Sequence, residues 1–311
     1  MESNYLMMDV GGNGIKAAIL NASGTLNGEI RWFPARSREN HETIFSNFAD
    51  IILQMETELP DENSFCKIGM AFPGPFDYRQ GISLMQGLDK YDSIYGMDIQ
   101  KEIKNRLEMK NKTKSRDGCR FLFLHDVEAF ALGAGIYGPA SDCEKIFNLC
   151  IGTGAGSAFI EQGKVIRERK DVPPQGWIYN TAFRDGIIDD YISIRGLLQL
   201  TTEQFLHGTP DGRQDIPDGA SLAALAAKGD ERALEVFRRF GIDVAEAVIP
   251  FLQEFKPDGC IIGGQIAKSF SYFGKELLAY CESEGIRVYP VSDTSRWTLM
   301  GLYEKFCREE M

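Results

Sequence analysis

Twice along this chain a short apolar run enters a glycine-rich turn and a second apolar run leaves it. The first pair is residues 5–10 and 15–20, set around Gly11-Gly12-Asn13-Gly14. The second is 146–160, IFNLCIGTGAGSAFI, set around Gly152-Thr153-Gly154-Ala155-Gly156. Asn-Gly between two such runs is the strongest short-range hairpin signal, because both turn residues tolerate φ > 0. A hairpin opening each half of a 311-residue chain constrains the architecture strongly. One hydrophobic core rarely serves that length, so two compact halves are expected.

The rest alternates helix and strand, which makes the expected class α/β. Ile44, Phe45, Phe48, Ile51, Ile52 and Met55 recur at helical spacing over 43–57. Residues 66–72 then read as a strand ending at Pro73-Gly74-Pro75. A basic stretch at 110–120 reads as a solvated loop, FLFL at 121–124 as a buried strand, and 125–138 as a helix. In the second half a return segment at 164–167 follows the hairpin. A long helix is expected over 230–255, with Ala233, Val236, Phe237, Phe240, Val244, Val248 and Phe251 on its apolar face. A buried strand at 259–262 runs into Gly263-Gly264.

Charge and cysteines narrow the function classes. With 34 basic and 45 acidic residues the net charge is −11, which repels nucleic-acid backbones and anionic membranes, so neither partner is expected. Seven cysteines without a C-x-x-C pair fit reduced thiols of a cytoplasmic protein better than a disulfide framework or a zinc site. The first residues carry no basic export signal, and no apolar run reaches the ~18 residues of a membrane span.

Glycine clusters at 11–14, 152–156 and 263–264 end strands, where backbone amides can approach a phosphate with no Cβ in the way. A sterically required turn is the alternative for each. The first is not a P-loop, since Ile15 precedes Lys16 and a strand follows. Gly133-Ala134-Gly135-Ile136-Tyr137-Gly138 matches the dinucleotide fingerprint, but it closes a helical run instead of following a strand. Asp126 stands at a strand-to-helix junction. There it can cap the helix, or face a bound nucleotide and take a proton from an alcohol attacking the terminal phosphate. Asp9 ends the first strand, where it can bind the hairpin amides or hold Mg²⁺ directly or through water.

Taken in order, these segments resemble the ROK family of sugar kinases, in the hexokinase and actin-like ATPase fold. The resemblance rests on Asp9–Lys16, Gly69–Asp77, His125–Gly133, Gly152–Gly156 and Pro257–Gln265, covering nearly the whole chain. It implies two actin-like, ribonuclease H-like α/β domains with an interdomain cleft. The expected domains are 1–124, joined by a C-terminal helix at about 296–311, and 125–295. It further implies ATP and Mg²⁺ as cofactors and a small-molecule sugar as substrate, with Asp126 as the base for a sugar hydroxyl, usually the 6-OH. The turn carrying Gly11, Gly12, Asn13, Gly14 and Lys16, and that of Gly152, Thr153 and Gly154, would hold the phosphates. Gly263 and Gly264 would flank the adenosine. Pro73 and Gly74 would line the sugar pocket, beside His125. No winged-helix segment precedes Tyr5, so the DNA-binding repressors of the family match poorly. A homodimer is one option for the assembly.

The chain also departs from the family pattern. Where the family has a sugar-binding Glu-x-Gly-His motif and then a cysteine-rich zinc loop, this chain has Pro174-Gln175-Gly176-Trp177 and no cysteine, so zinc is not expected. Trp177 has a donor and no acceptor; it can stack on a sugar ring or, with Tyr179, simply pack the loop. Asp189 falls where the family has a sugar-binding Glu. His125 stands where it has an Asn, and imidazole can both donate and accept. The rival reading is a catalytically inactive sugar- or nucleotide-binding regulatory protein of the same fold.

Overall fold

Two five-stranded sheets organise the chain, one in each of two units, Met1–Gly133 with Ser295–Met311, and Ala134–Thr294. The computed structural model describes residues 4–59, 65–111, 118–206 and 216–310.

In the first unit β1 (Tyr5–Val10) and β2 (Gly14–Leu20) run antiparallel, with Val10 opposite Ile15, so the expected hairpin forms. Its turn is made differently from the expectation. Neither Asn13 nor Gly14 has positive φ. A Cβ on Gly14 would lie 2.2 Å from the indole nitrogen of the exposed Trp32, on β3 (Leu26–Pro34), so that a side chain there displaces the indole. The helix α1 (His41–Glu56) starts ahead of its apolar periodicity because Asn40 caps it, accepting the Thr43 amide at 2.9 Å. There follow β4 (Lys67–Phe72), a small hairpin of β5 (Phe76–Asp77) and β6 (Ile82–Ser83), and α2 (Ile99–Lys110). The unit is completed by β7 (Arg120–His125) and α3 (Asp126–Ile136), within which it ends after Gly133. Residues 112–117 of the basic loop lie outside the described residues.

The sheet order is β3-β2-β1-β4-β7, with β1, β4 and β7 parallel. Those inner strands are apolar almost end to end, as strands covered on both faces must be. The edge strand β3 buries only Phe33 fully, and its LNGEIRWFP carries no apolar run to announce it.

The second unit repeats the plan. It comprises β8 (Lys145–Ile151), β9 (Ala155–Glu161), β10 (Lys164–Ile166), the ribbon β11 (Ala182–Phe183) and β12 (Gly186–Ile187), and α4 (Ile188–Tyr191). Then come α5 (Ile194–Leu206), α6 (Gly219–Ala227), α7 (Glu231–Phe255) and β13 (Gly259–Gly263). Last are α8 (Phe270–Phe273), α9 (Lys275–Ser283) and β14 (Arg287–Pro290). The order β10-β9-β8-β13-β14, an antiparallel meander followed by two parallel strands, matches the first sheet strand for strand. Each unit thus has the ribonuclease H-like, actin-like α/β topology. The apolar face of α7 packs Val236, Phe237, Phe240, Val244 and Val248 into a core with Phe147, Leu149 and Ile262.

The final helix, α10 (Thr294–Glu310), belongs to the first unit from Ser295 onward and accounts for the first glycine of the dinucleotide look-alike. A Cβ on Gly133 would lie 1.8 Å from the Trp297 carbonyl oxygen, and one on Gly301 1.8 Å from that of Ala129. The two helices meet backbone to backbone, which only glycine permits. Among the described residues, no helix is long and apolar enough to cross a membrane.

Candidate active site

In the first unit the candidate residues gather at the carboxyl ends of three adjacent parallel strands. Asp9 comes near the end of β1, Pro73 and Gly74 follow β4, and His125 ends β7 with Asp126 next. Open α/β sheets present ligand-binding loops at this edge, because all their parallel strands end there.

The turn after β1 is held from behind. The Gly11 carbonyl accepts from the Tyr91 hydroxyl at 3.0 Å and the Gly12 carbonyl from Ser37 Oγ at 2.5 Å. The Asn13 carbonyl accepts from the Ala35 amide at 3.2 Å. With these carbonyls tied down, the Gly12 and Asn13 amides find no acceptor among the described residues. Fixed, unpaired N–H groups of this kind form an anion cradle. Tyr91 itself is fully buried, and desolvation together with the charge of Asp9 drives its hydroxyl pKa far up, so it stays a donor.

Asp9 lies directly across the hairpin from Lys16. Burial pushes its carboxyl pKa up to about 6; a hydrogen bond from Ser295 opposes the shift, the charge of Asp126 adds to it, and Lys16 opposes it. Asp9 and Asp126 therefore feel one another's charge. Asp126 is the first residue of α3, and its side chain is 37% exposed. One carboxylate oxygen accepts the Val127 amide at 2.8 Å, and the other has no protein donor among the described residues. His125 Nδ1 stands 3.4 Å from the Asp126 carboxylate. The Tyr78 ring meets the imidazole edge to face at 5.8 Å, and a Cβ on Gly74 would touch that imidazole at 3.6 Å.

In the second unit the turn between β8 and β9 is clasped by residues 189–194. The Ala155 amide donates to Asp189 Oδ1 at 2.6 Å, Arg195 pairs with Asp189 Oδ2, and the Gly152 carbonyl accepts the Ile194 amide at 2.9 Å. Both Asp189 oxygens are thus engaged inside the protein. Gly264, with φ +92°, follows β13, and a Cβ on it would lie 2.3 Å from the Ile151 carbonyl. Since Gly263 pairs with Cys150, the 152–154 and 263–264 glycines share the same edge of two neighbouring parallel strands.

Trp177 belongs to the same neighbourhood. The peptide groups on either side of it are tied to one buried hydroxyl: Ser157 Oγ donates to the Gly176 carbonyl at 2.6 Å and accepts the Ile178 amide at 3.0 Å. The indole lies 5.9 Å from the ring of Tyr179, whose carbonyl accepts the Asp189 amide at 2.9 Å.

A family model described as the ROK family matches residues 5–284. The chain belongs to the ROK family. A glucokinase of Thermotoga maritima is 22% identical to it over 281 residues, 84% of this chain and 82% of the other. Among solved structures, a ROK family glucokinase from Streptomyces griseus in complex with glucose and AMPPNP superposes with TM-score 0.68 at 17% identity, covering 98% and 99% of the two chains. A ROK family transcriptional regulator, a homolog of the E. coli MLC protein, superposes with TM-score 0.77 at 15% identity, covering 97% of this chain and 78% of the other. A kinase and a regulator thus share the ROK fold, and function must be argued from the residues at the strand ends.

Four side chains that frame the site in this ROK protein escape sequence reasoning: Tyr78, Tyr91, Ser157 and Ser295. Each acts through hydrogen bonds or a ring contact to a segment separate in the sequence. Only Ser295 carries a local signal, the polar SDTS stretch before the last helix.

Proposed function

We propose that this ROK protein is an ATP-dependent sugar kinase that phosphorylates a hexose or hexose derivative at O6, with Asp126 as general base. The observation that carries the reading is the Asp126 carboxylate at the end of β7. It keeps one oxygen without a protein donor and shares its strand edge with an anion cradle whose carbonyls are pinned away. In the reaction Asp126 accepts the proton of the sugar hydroxyl as that oxygen attacks the γ-phosphorus. The bond from the γ-phosphorus to the bridging oxygen breaks, and ADP leaves.

Within the first unit, the Gly12 and Asn13 amides and Lys16 bind phosphate oxygens, while Pro73, Gly74 and His125 contact the sugar. Within the second, Gly152, Thr153 and Gly154 bind phosphate, Gly263 and Gly264 adjoin the adenosine, and Trp177 offers a ring face to the sugar. Asp189 serves the sugar through the loop it braces, its oxygens being engaged with Ala155 and Arg195. A lone, half-buried carboxylate fits an ion that takes most of its ligands from phosphate and water, so Asp9 would hold Mg²⁺. Bound there, magnesium supplies charge neutralisation on the phosphates.

ADP release measured over a panel of hexoses and amino sugars with MgATP tests the reading. Asp126→Asn is expected to lower kcat by about 10²–10⁴ with nucleotide affinity near wild type. An unchanged rate removes Asp126 from the mechanism. Trp177 in place of the family's histidine favours the competing reading, a regulatory protein without catalysis, and a blank across the panel would favour it further.

A further inference from the structure

Asp9 and Lys16 occupy directly opposed positions on β1 and β2, where a carboxylate and an ammonium ordinarily close into an ion pair. Among the described residues these two form none. Lys16 Nζ donates instead to Ser295 Oγ at 2.5 Å, and Ser295 is close enough to Asp9 to oppose the upward shift of its carboxyl pKa. Ser295 is 3% exposed, in the first turn of α10 and 279 positions along the chain from Lys16. A hydroxyl can accept from the ammonium and donate to the carboxylate at once, which alanine cannot.

We propose that Ser295 is a positioning residue for nucleotide binding: its hydroxyl holds the Lys16 ammonium and keeps it from closing onto the facing Asp9 carboxylate. The ammonium thereby stays available to phosphate oxygens and the carboxylate to a divalent cation. The proposal rests on the kinase reading, and adds that the C-terminal helix is part of the phosphate site. Without the hydroxyl, Lys16 loses its acceptor, and the Asp9 carboxylate directly across the hairpin becomes the nearest replacement.

Calorimetric titration with AMPPNP in excess Mg²⁺ tests it together with a crystal structure of the nucleotide-free variant. Ser295→Ala is expected to bind about tenfold more weakly, to keep its far-UV circular dichroism, and to show Lys16 Nζ within ion-pair distance of Asp9. Ser295→Thr, which keeps the hydroxyl, is expected to restore the affinity. Should S295A not fold, Ser295→Cys, with its weaker donor, is expected to show the same weakening to a smaller degree. Wild-type affinity in a folded S295A or S295C, or Lys16 and Asp9 still apart in the folded variant's crystal structure, overturns the proposal. A wild-type protein that takes up no AMPPNP overturns the kinase reading instead.

Discussion

Gly264 lies against the backbone of Ile151, so close that a Cβ on it would come within 2.3 Å of the carbonyl oxygen. This contact joins the end of β13 to the last residue before the 152–154 turn. Gly264→Ala must both adopt φ +92° and push that carbonyl away, and nothing flexible absorbs the shift. We expect a loss of about 3 kcal/mol in urea unfolding. Weaker ADP binding should accompany it, with the sugar dependence of any remaining activity unchanged.

Asp9 ties stability to pH. Its folded-state pKa of about 6 lies above the ordinary 3.8, so the native state holds the extra proton between those values. Stability therefore falls as pH rises from about 4 to above 6, and the penalty is complete at neutral pH. Asp9→Asn is expected to stabilise the nucleotide-free protein by about 2 kcal/mol at pH 7.5 and by little at pH 4. Thermal melts across that range check it. Kinase activity should be lost in the same variant, since an amide is a poor ligand for magnesium.

Variants at Ser157 and Trp177 are expected to separate folding from the proposed sugar recognition. Ser157→Ala leaves the Gly176 carbonyl and the Ile178 amide without their shared partner, and we expect a cost of about 2–4 kcal/mol in denaturant unfolding. Trp177→Ala removes a half-buried ring. It is expected to raise the KM for sugar about tenfold while the KM for ATP stays within twofold, measured by steady-state kinetics.

The crossing of α3 and α10 holds the tightest glycine contacts among the described residues of the first unit. Gly133→Ala would bring a Cβ to 1.8 Å from the Trp297 carbonyl, so the helices must separate. We expect at least about 4 kcal/mol of destabilisation, or insoluble protein, read by thermal melting and by the soluble fraction on expression.

Some of this was written locally. The inner strands and α7 are legible because burial on one or both faces leaves an apolar run or a 3.6-residue period in the adjacent residues. The two glycine hairpins, placed alike in the two halves, carry the duplicated topology, and the order of motifs carries the ROK resemblance. The strands β3 and β14 were silent because an edge strand buries too little to leave such a trace.

What tertiary structure alone decided is how the strand ends are held. Gly14 has Trp32 lying over it and is not left-handed. The first turn is fixed because Tyr91, 80 residues away, binds the Gly11 carbonyl, and Lys16 is drawn aside by a serine 279 residues away. Apolar periodicity comes from neighbours along the chain and repeats, so a sequence displays it. A single hydrogen bond between remote segments repeats nowhere, and it exists only once the whole backbone has brought donor and acceptor together.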